Sequence, residues 1–346
     1  MSTVFDLGVD HSRRELLGYG ATPPDPRWPG GARICVSFVV NYEEGAEHIG
    51  TSPSSSTGSR ENYNENDGHA EVFLTESGVG PTVGTPKPQR NLNVEQQYEF
   101  GAHRGFWRIL ALFKRHNLRF TSWAVGRAVQ LNPSVAKAME EAKCEVASHG
   151  WRWIDYASLT EQEETQHVKL AIDALAKASS DGKTRPRGWY TGRQSLQTRR
   201  IVYETYRELG MAEQYYDSDA YDEDLPYYVK SPSPSKEKAS PPLLVIPYTL
   251  DNNDMKFGIA PGFSTSDHFF TYLKDAFDVL LAEGKAGEPK MMSIGLHCRM
   301  VGRPGRLAGL ARFIDYVKEH EQTGLAWVPT RDEIADHWRK TYPPQQ

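Results

Sequence analysis

Cysteine is scarce in this chain: Cys35, Cys144 and Cys298 are the three present among 346 residues, far apart and without a CxxC spacing. That leaves neither a disulfide framework nor a thiolate zinc site, and a reducing compartment fits best. Long apolar runs are missing too. No window approaches the roughly 18–20 residues a membrane span needs, and the longest candidate, residues 34–40, has the length of a strand. No membrane partner is expected. The formal net charge is −5, and no Lys/Arg run is long enough to track a phosphate backbone, so nucleic acid is not an expected partner either. Residues 1–10 hold Asp6 and Asp10 and lack the basic start and apolar stretch of a signal peptide, which makes a cytoplasmic location the expectation. The first strand is not followed by GxGxxG, and neither a P-loop nor GxSxG occurs. A phosphate cradle and a nucleophile-elbow serine are thereby set aside, and general acid–base attack by water remains.

What is there suffices for a packed core: 38% of residues are hydrophobic and 25% charged, a globular balance. After a Pro-rich lead at 21–30, residues 33–40 read as a buried strand ending at Asn41-Tyr42-Glu43-Glu44-Gly45. Residues 50–68 are Ser-, Asn- and Gly-rich and read as a mobile insertion. Helices are then expected at 100–115, 133–142, 160–179, 198–209, 266–282, 307–320 and 331–340. Strands are expected at 118–125, 144–147, 188–190, 214–216, 243–246, 291–296 and 326–328. Thr160 with Glu163 forms a capping-box pattern that marks one helix start. Residues 231–242 have loop composition. Strands alternating with helices argue for a parallel sheet, open or closed. Polar clusters following several strand ends favour one α/β barrel domain over residues 1–346.

Six clusters carry candidate chemistry. Glu43 and Glu44 follow an apolar strand and, as neighbours, cannot share a face; the bland alternative is a solvated loop edge. His149 leaves a short strand beside Gly150, flanked by Trp151 and Trp153, as ligand, proton shuttle or satisfied structural residue. Arg193 in Gly188-Trp-Tyr-Thr-Gly-Arg193 offers a planar fork for a carboxylate or carbonyl oxygen, or makes a surface ion pair. Asp217 opens a run of five acids ending at Asp224, poised to orient a hydrogen-bonding group or merely facing water. Asp251-Asn252-Asn253-Asp254 suits a polar, amide-rich ligand, and His297 ends another strand with Arg299 behind it.

In this order, Asn41-Tyr-Glu-Glu-Gly45, Ser148-His-Gly-Trp-Arg-Trp-Ile-Asp-Tyr156, Gly188-Trp-Tyr-Thr-Gly-Arg193, Tyr221-Asp-Glu-Asp-Leu-Pro226, Ile246-Pro-Tyr-Thr-Leu-Asp251 and Gly295-Leu-His-Cys-Arg299 resemble the polysaccharide-deacetylase superfamily. Within it the likeness is to the metal-independent allantoinase branch, and it covers nearly the whole chain. The resemblance implies an irregular (β/α)7-type barrel, hydrolysis of an amide-type C–N bond, and a homo-oligomer, a tetramer. The implied substrate is a small ureide (allantoin, opened to allantoate); an N-acetylated amino sugar is the alternative, with the chain then a chitin or chito-oligosaccharide deacetylase. The 50–68 insertion departs from the branch.

The deacetylases proper use an aspartate pair, one as base and one as zinc ligand, with two histidines four residues apart. Here the pair is Glu43 and Glu44, the first histidine is His149, and Trp153 stands in the second position. An indole cannot bind zinc, and a catalytic zinc wants three protein ligands. Glu44 and His149 supply two, so no cofactor is expected; zinc would need a further ligand such as His48 or Asp217. By position Glu43 matches the base and His297 the acid, with His149 as the other candidate donor. Glu44, Trp151, Trp153, Arg193, Asp217, Asn252, Asp254 and Arg299 complete the expected substrate-binding set.

Overall fold

The computed structural model describes residues 4–49, 71, 90–233, 240–259 and 261–344. The insertion expected at 50–68 lies outside them, as does the middle of the 231–242 loop.

The strands are β1 (Val4–Phe5), β2 (Ile34–Tyr42), β3 (Thr121–Ala124), β4 (Glu145–Ser148), β5 (Gly188–Trp189), β6 (Tyr216–Asp217), β7 (Tyr227–Val229), β8 (Leu243–Val245), β9 (Lys290–His297) and β10 (Ala326–Trp327). The helices are α1 (Leu92–Phe100), α2 (Phe106–Arg115), α3 (Gly126–Leu131), α4 (Pro133–Glu141), α5 (Glu161–Ala178), α6 (Thr198–Glu208), α7 (Ser266–Ala286), α8 (Pro304–Gln322) and α9 (Arg331–Thr341). They build one mostly parallel sheet with helices packed around it, barrel-like but not closed. The path is β1-β7-β8-β6-β5-β4-β3-β2-β10, and β9 lies along β2 from Ile34 to Asn41. Among the described residues, only β7 against β8 is antiparallel. One of two isolated parallel bridges among the described residues, between Asn253 and Gly295, ties the loop after β8 to β9. The approach is close enough that a Cβ on Gly295 would fall 2.4 Å from Asn253 Nδ2, which is why glycine stands there.

The period of two along β2 organises everything above it. Ile34, Val36, Phe38, Val40 and Tyr42 face the helical layer, packing with Phe106, Ile109, Phe113, Phe277 and Phe313. Cys35 and Val39 face inward with Trp123, Tyr190, Tyr216 and Tyr248. Burying this alternating set is the main stabilisation available to the strand. Inside the curled sheet, fully buried Arg331 donates to Ser293 Oγ (2.9 Å), Ser218 Oγ (3.0 Å) and the carbonyls of Ile246 (2.6 Å) and Pro247 (2.7 Å). Its charge is thus solvated by oxygens rather than water.

Helix α5 begins as its capping box predicts, with Thr160 and Glu163 exchanging hydrogen bonds. The segment expected as one helix at 100–115 starts earlier, at Leu92, and is broken by a π-turn at Gly101–Gly105. Such single turns occur within α-helices and are frequent at functional sites; here the turn opens at Gly101, against which Glu44 packs. Among the described residues, no helix is long and apolar enough to cross a membrane, and all three cysteines are buried and free.

Candidate active site

Glu43 continues the inward phase of β2, and Glu44 the outward phase. The two carboxyls therefore part company at the strand end. Glu44 accepts the main-chain N–H of Glu43 (2.9 Å) with Oε2. Its other oxygen rests against Gly101, where a Cβ would lie 2.3 Å away. Burial pushes the Glu44 carboxyl up to about 7.

Glu43 is fully buried, and three cations or potential cations surround it. His149 Nε2 stands 3.2 Å and His297 Nε2 3.5 Å from Oε1, while Arg299 Nη1 stands 2.6 Å from Oε2. Burial would raise this carboxyl, but Arg299 and then His297 outweigh it and hold it well below the usual range. Both imidazoles are oriented from behind. His149 donates Nδ1–H to the Tyr190 carbonyl (2.9 Å), so its Nε2 is the atom turned to Glu43. His297 bonds Asp254 Oδ1 through Nδ1 (2.7 Å). Burial would lower His297, yet Glu43 and Asp254 prevail and lift it to about 9. At neutral pH it is an imidazolium with Nε2–H available to donate.

Aromatic faces enclose these charges. The His149 ring stacks on Tyr190 (centroids 4.9 Å apart) and tilts against Trp153 (4.7 Å). Arg299 lies over Tyr98 at 4.2 Å, and Arg193 over Trp153 at 4.3 Å. Arg193 is further held by Glu71, which takes Nη1 at 3.1 Å and Nη2 at 2.8 Å. Asn252 turns a buried side-chain oxygen with no hydrogen-bond partner among the described residues.

Of the residues expected from the sequence, the structure brings Glu43, His149, His297 and Arg299 into direct contact, with Trp153 and Arg193 one layer out. Asp254 sits behind His297. Trp151 packs instead with Val168, Ala171 and Ile172. Asp217 is buried in an ion pair with Arg199 (3.4 Å) and receives the Asp219 N–H (2.7 Å). Asp219 in turn takes the N–H groups of Thr191 and Gly192, both at 2.8 Å, fixing the loop that carries the Tyr190 carbonyl and Arg193. Tyr98, Tyr190 and Glu71 were not anticipated. Tyr190 sits in the Gly188-Trp-Tyr-Thr-Gly-Arg193 stretch, but nothing local marks its carbonyl as the anchor of His149.

Among the described residues, no group of three His, Cys, Asp or Glu side chains is arranged to hold a metal ion. Asp217 is spent on Arg199, and the position four residues after His149 is an indole. The donor set does not fit a zinc centre of the deacetylase kind.

A buried carboxylate gripped by two imidazoles and a guanidinium at the ends of parallel strands defines a hydrolase-type site on an α/β fold. Residues 86–212 match the sequence profile of the family described as Polysaccharide deacetylase. A Schizosaccharomyces pombe protein named "Putative polysaccharide deacetylase" is 47% identical over 336 residues, 96% of this chain and 99% of that protein. Among solved structures, a "probable Polysaccharide deacetylase" from Pseudomonas aeruginosa PAO1 superposes with TM-score 0.82 at 45% identity, covering 96% of this chain and 99% of its own. PuuE allantoinase superposes with TM-score 0.81 at 47% identity and the same coverage. The chain belongs to the polysaccharide deacetylase family of hydrolases.

Proposed function

We propose that the protein opens a cyclic ureide, allantoin, to allantoate by general acid–base attack of water and without a metal. The observation that carries this reading is the pairing of Glu43 with an Asp254-backed imidazolium, which supplies base and acid from the protein alone. Glu43 receives the proton of the attacking water; His297 Nε2–H protonates the departing nitrogen. Arg299, adjoining Glu43, stabilises charge building on the attacked carbonyl oxygen. To Arg193 on its Trp153 face and to Asn252 we assign the holding of the ureido arm.

Leaving-group chemistry supports the choice. Expelling a sugar amine through a charged tetrahedral intermediate gains several kcal/mol from a Lewis acid. A ureido nitrogen delocalises its charge onto its own carbonyl, so preorganised donors suffice. The likeness to PuuE allantoinase across 96% of the chain points the same way. The second reading is N-deacetylation of a chito-oligosaccharide, which the names of the other two relatives favour. Incubation with allantoin and with chitotetraose in parallel separates them: allantoate formation supports the proposal, and acetate release with intact allantoin refutes it.

A further inference from the structure

Where the turn after β9 runs against α1 and α2, three arginines gather outside the catalytic group. Arg108 on α2 donates from Nη1 to the Gly302 carbonyl (3.2 Å). Arg303, at the head of α8, donates from Nη2 to Gln97 on α1 and lies over the Phe100 ring at 3.5 Å, with Arg108 over the same ring at 5.6 Å. Arg306, in the first turn of α8, reaches the Met300 carbonyl (3.5 Å) and lies over Phe257 at 5.0 Å. Each guanidinium is thus anchored by a neutral oxygen and an aromatic face, and none has a carboxylate within ion-pairing distance among the described residues. The remaining nitrogens, Nε and Nη2 of Arg108 and Arg306 and Nε and Nη1 of Arg303, are neither bonded nor shut off from solvent. Open space adjoins them, since a Cβ on Gly305 would meet nothing within 4 Å. The acids of the adjoining elements are engaged elsewhere: Glu95 by Arg90, Asp267 by Arg312 (2.6 Å) and Asp251 by Lys256 (3.6 Å). Glu99 lines the hollow of Glu44 and His103. Asp254, whose charge reaches Arg306, has both oxygens on His297 and Val301. Burial, followed by repulsion from Arg306 and Arg108, lowers Arg303 below its ordinary value. Like charges held together on neutral partners repel one another, and a bound anion relieves that repulsion.

We propose that Arg108, Arg303 and Arg306 form a binding site for a small anion carrying two or more phosphate groups. Guanidinium forks match phosphate oxygens in pairs, and three of them without carboxylate partners favour an anion of more than one charge. The ring faces of Phe100 and Phe257 and the neutral acceptors hold the forks in place beforehand, so binding orders little that is not already ordered. A purely structural role, tying the turn at 300–306 to α1 and α2, uses one nitrogen of each side chain and leaves the rest of each fork idle. The proposal is independent of the chemistry assigned to Glu43.

Calorimetric titration of the full chain with inorganic pyrophosphate, and with citrate as the polycarboxylate control, tests it at about 0.1 M salt, where dispersed surface charges are screened. Saturable binding of pyrophosphate at one site per chain is expected, with citrate at least about tenfold weaker. The double variant Arg303→Gln/Arg306→Gln should weaken pyrophosphate about tenfold or more. Arg312→Gln, which removes the same kind of charge from α8 but one already paired with Asp267, should leave the affinity within about twofold. Should the double variant fail to fold, Arg108→Gln decides, because Arg108 stands on a separate helix; it should weaken pyrophosphate several-fold or more. Absence of saturable pyrophosphate binding, equal binding of citrate, unchanged affinity in the deciding variant, or an equal loss in Arg312→Gln overturns the proposal.

Discussion

Asp254 grips His297 twice: Oδ2 takes the main-chain N–H at 2.8 Å while Oδ1 takes ring Nδ1 at 2.7 Å. A third bond, from the Val301 N–H to Oδ2 at 3.0 Å, leaves this carboxylate no freedom to turn. It sets the ring's orientation and, together with Glu43, its proton affinity.

Replacing Asp254 with Asn should therefore lower turnover by about 10²-fold or more and change the pH profile. His297 must be protonated to act as the proposed acid, so kcat/KM should fall as pH rises through about 9. In Asp254→Asn that alkaline limb moves to lower pH, since an anion that held the proton is gone. A pH series of kcat/KM on both proteins reads the shift.

Glu43→Gln removes the proposed base while keeping the shape. Loss of about 10²–10⁴-fold in turnover is expected, with substrate still bound at equilibrium. Because Arg299 and His297 hold Glu43 well below the usual carboxylate range, wild-type kcat/KM should show no acid limb from Glu43 between pH 5 and pH 7. Retained turnover in the variant would remove Glu43 from the mechanism.

Tyr98 supports Arg299 through its ring face rather than its hydroxyl. Tyr98→Phe should keep near-normal turnover. Tyr98→Leu loses the cation–π contact, worth about 0.5–2 kcal/mol, and should slow kcat several-fold or more. Equal activity of the Leu and Phe variants would show that the stacking has no part in holding the guanidinium.

The outward side of the site makes a prediction about stability. Glu47, just beyond the end of β2, is buried and accepts the Gly45 N–H at 2.8 Å, and burial lifts its carboxyl to about 8. Its folded value lies above its unfolded one, near 4.5, so its contribution is fully present below pH 4.5 and is lost as pH rises through 8. Glu44, lifted to about 7, and His297, lifted to about 9, act in the same direction. Chemical denaturation of Glu47→Gln and wild type should therefore show the variant gaining on wild type between pH 5 and pH 9, by on the order of 1 kcal/mol or more. A stability difference independent of pH would refute the assignment.

Much of this was legible in the residues themselves. The alternation along β2 announces that Glu43 and Glu44 diverge, and strands ending in His149 and His297 announce where the polar groups gather. The Thr160–Glu163 signal also stands in the structure as read. What stayed hidden depends on long-range packing. Asp254 reaches His297 across 43 residues only because Gly295 lets the loop after β8 approach β9. Asp217 and Asp219 look like solvent-facing acids by composition, yet Arg199 draws them inside. Strands of two or three residues, such as β1 and β7, carry no readable period.

Under the proposed function, protein groups alone hydrolyse the C–N bond. This is tested by chelator-treated protein, assayed to be free of zinc and other transition metals, on allantoin. Undiminished conversion to allantoate, abolished by Glu43→Gln, is the predicted result. Loss of turnover on chelation that zinc restores would contradict the claim and mean that the site recruits a metal on ligands outside the described residues.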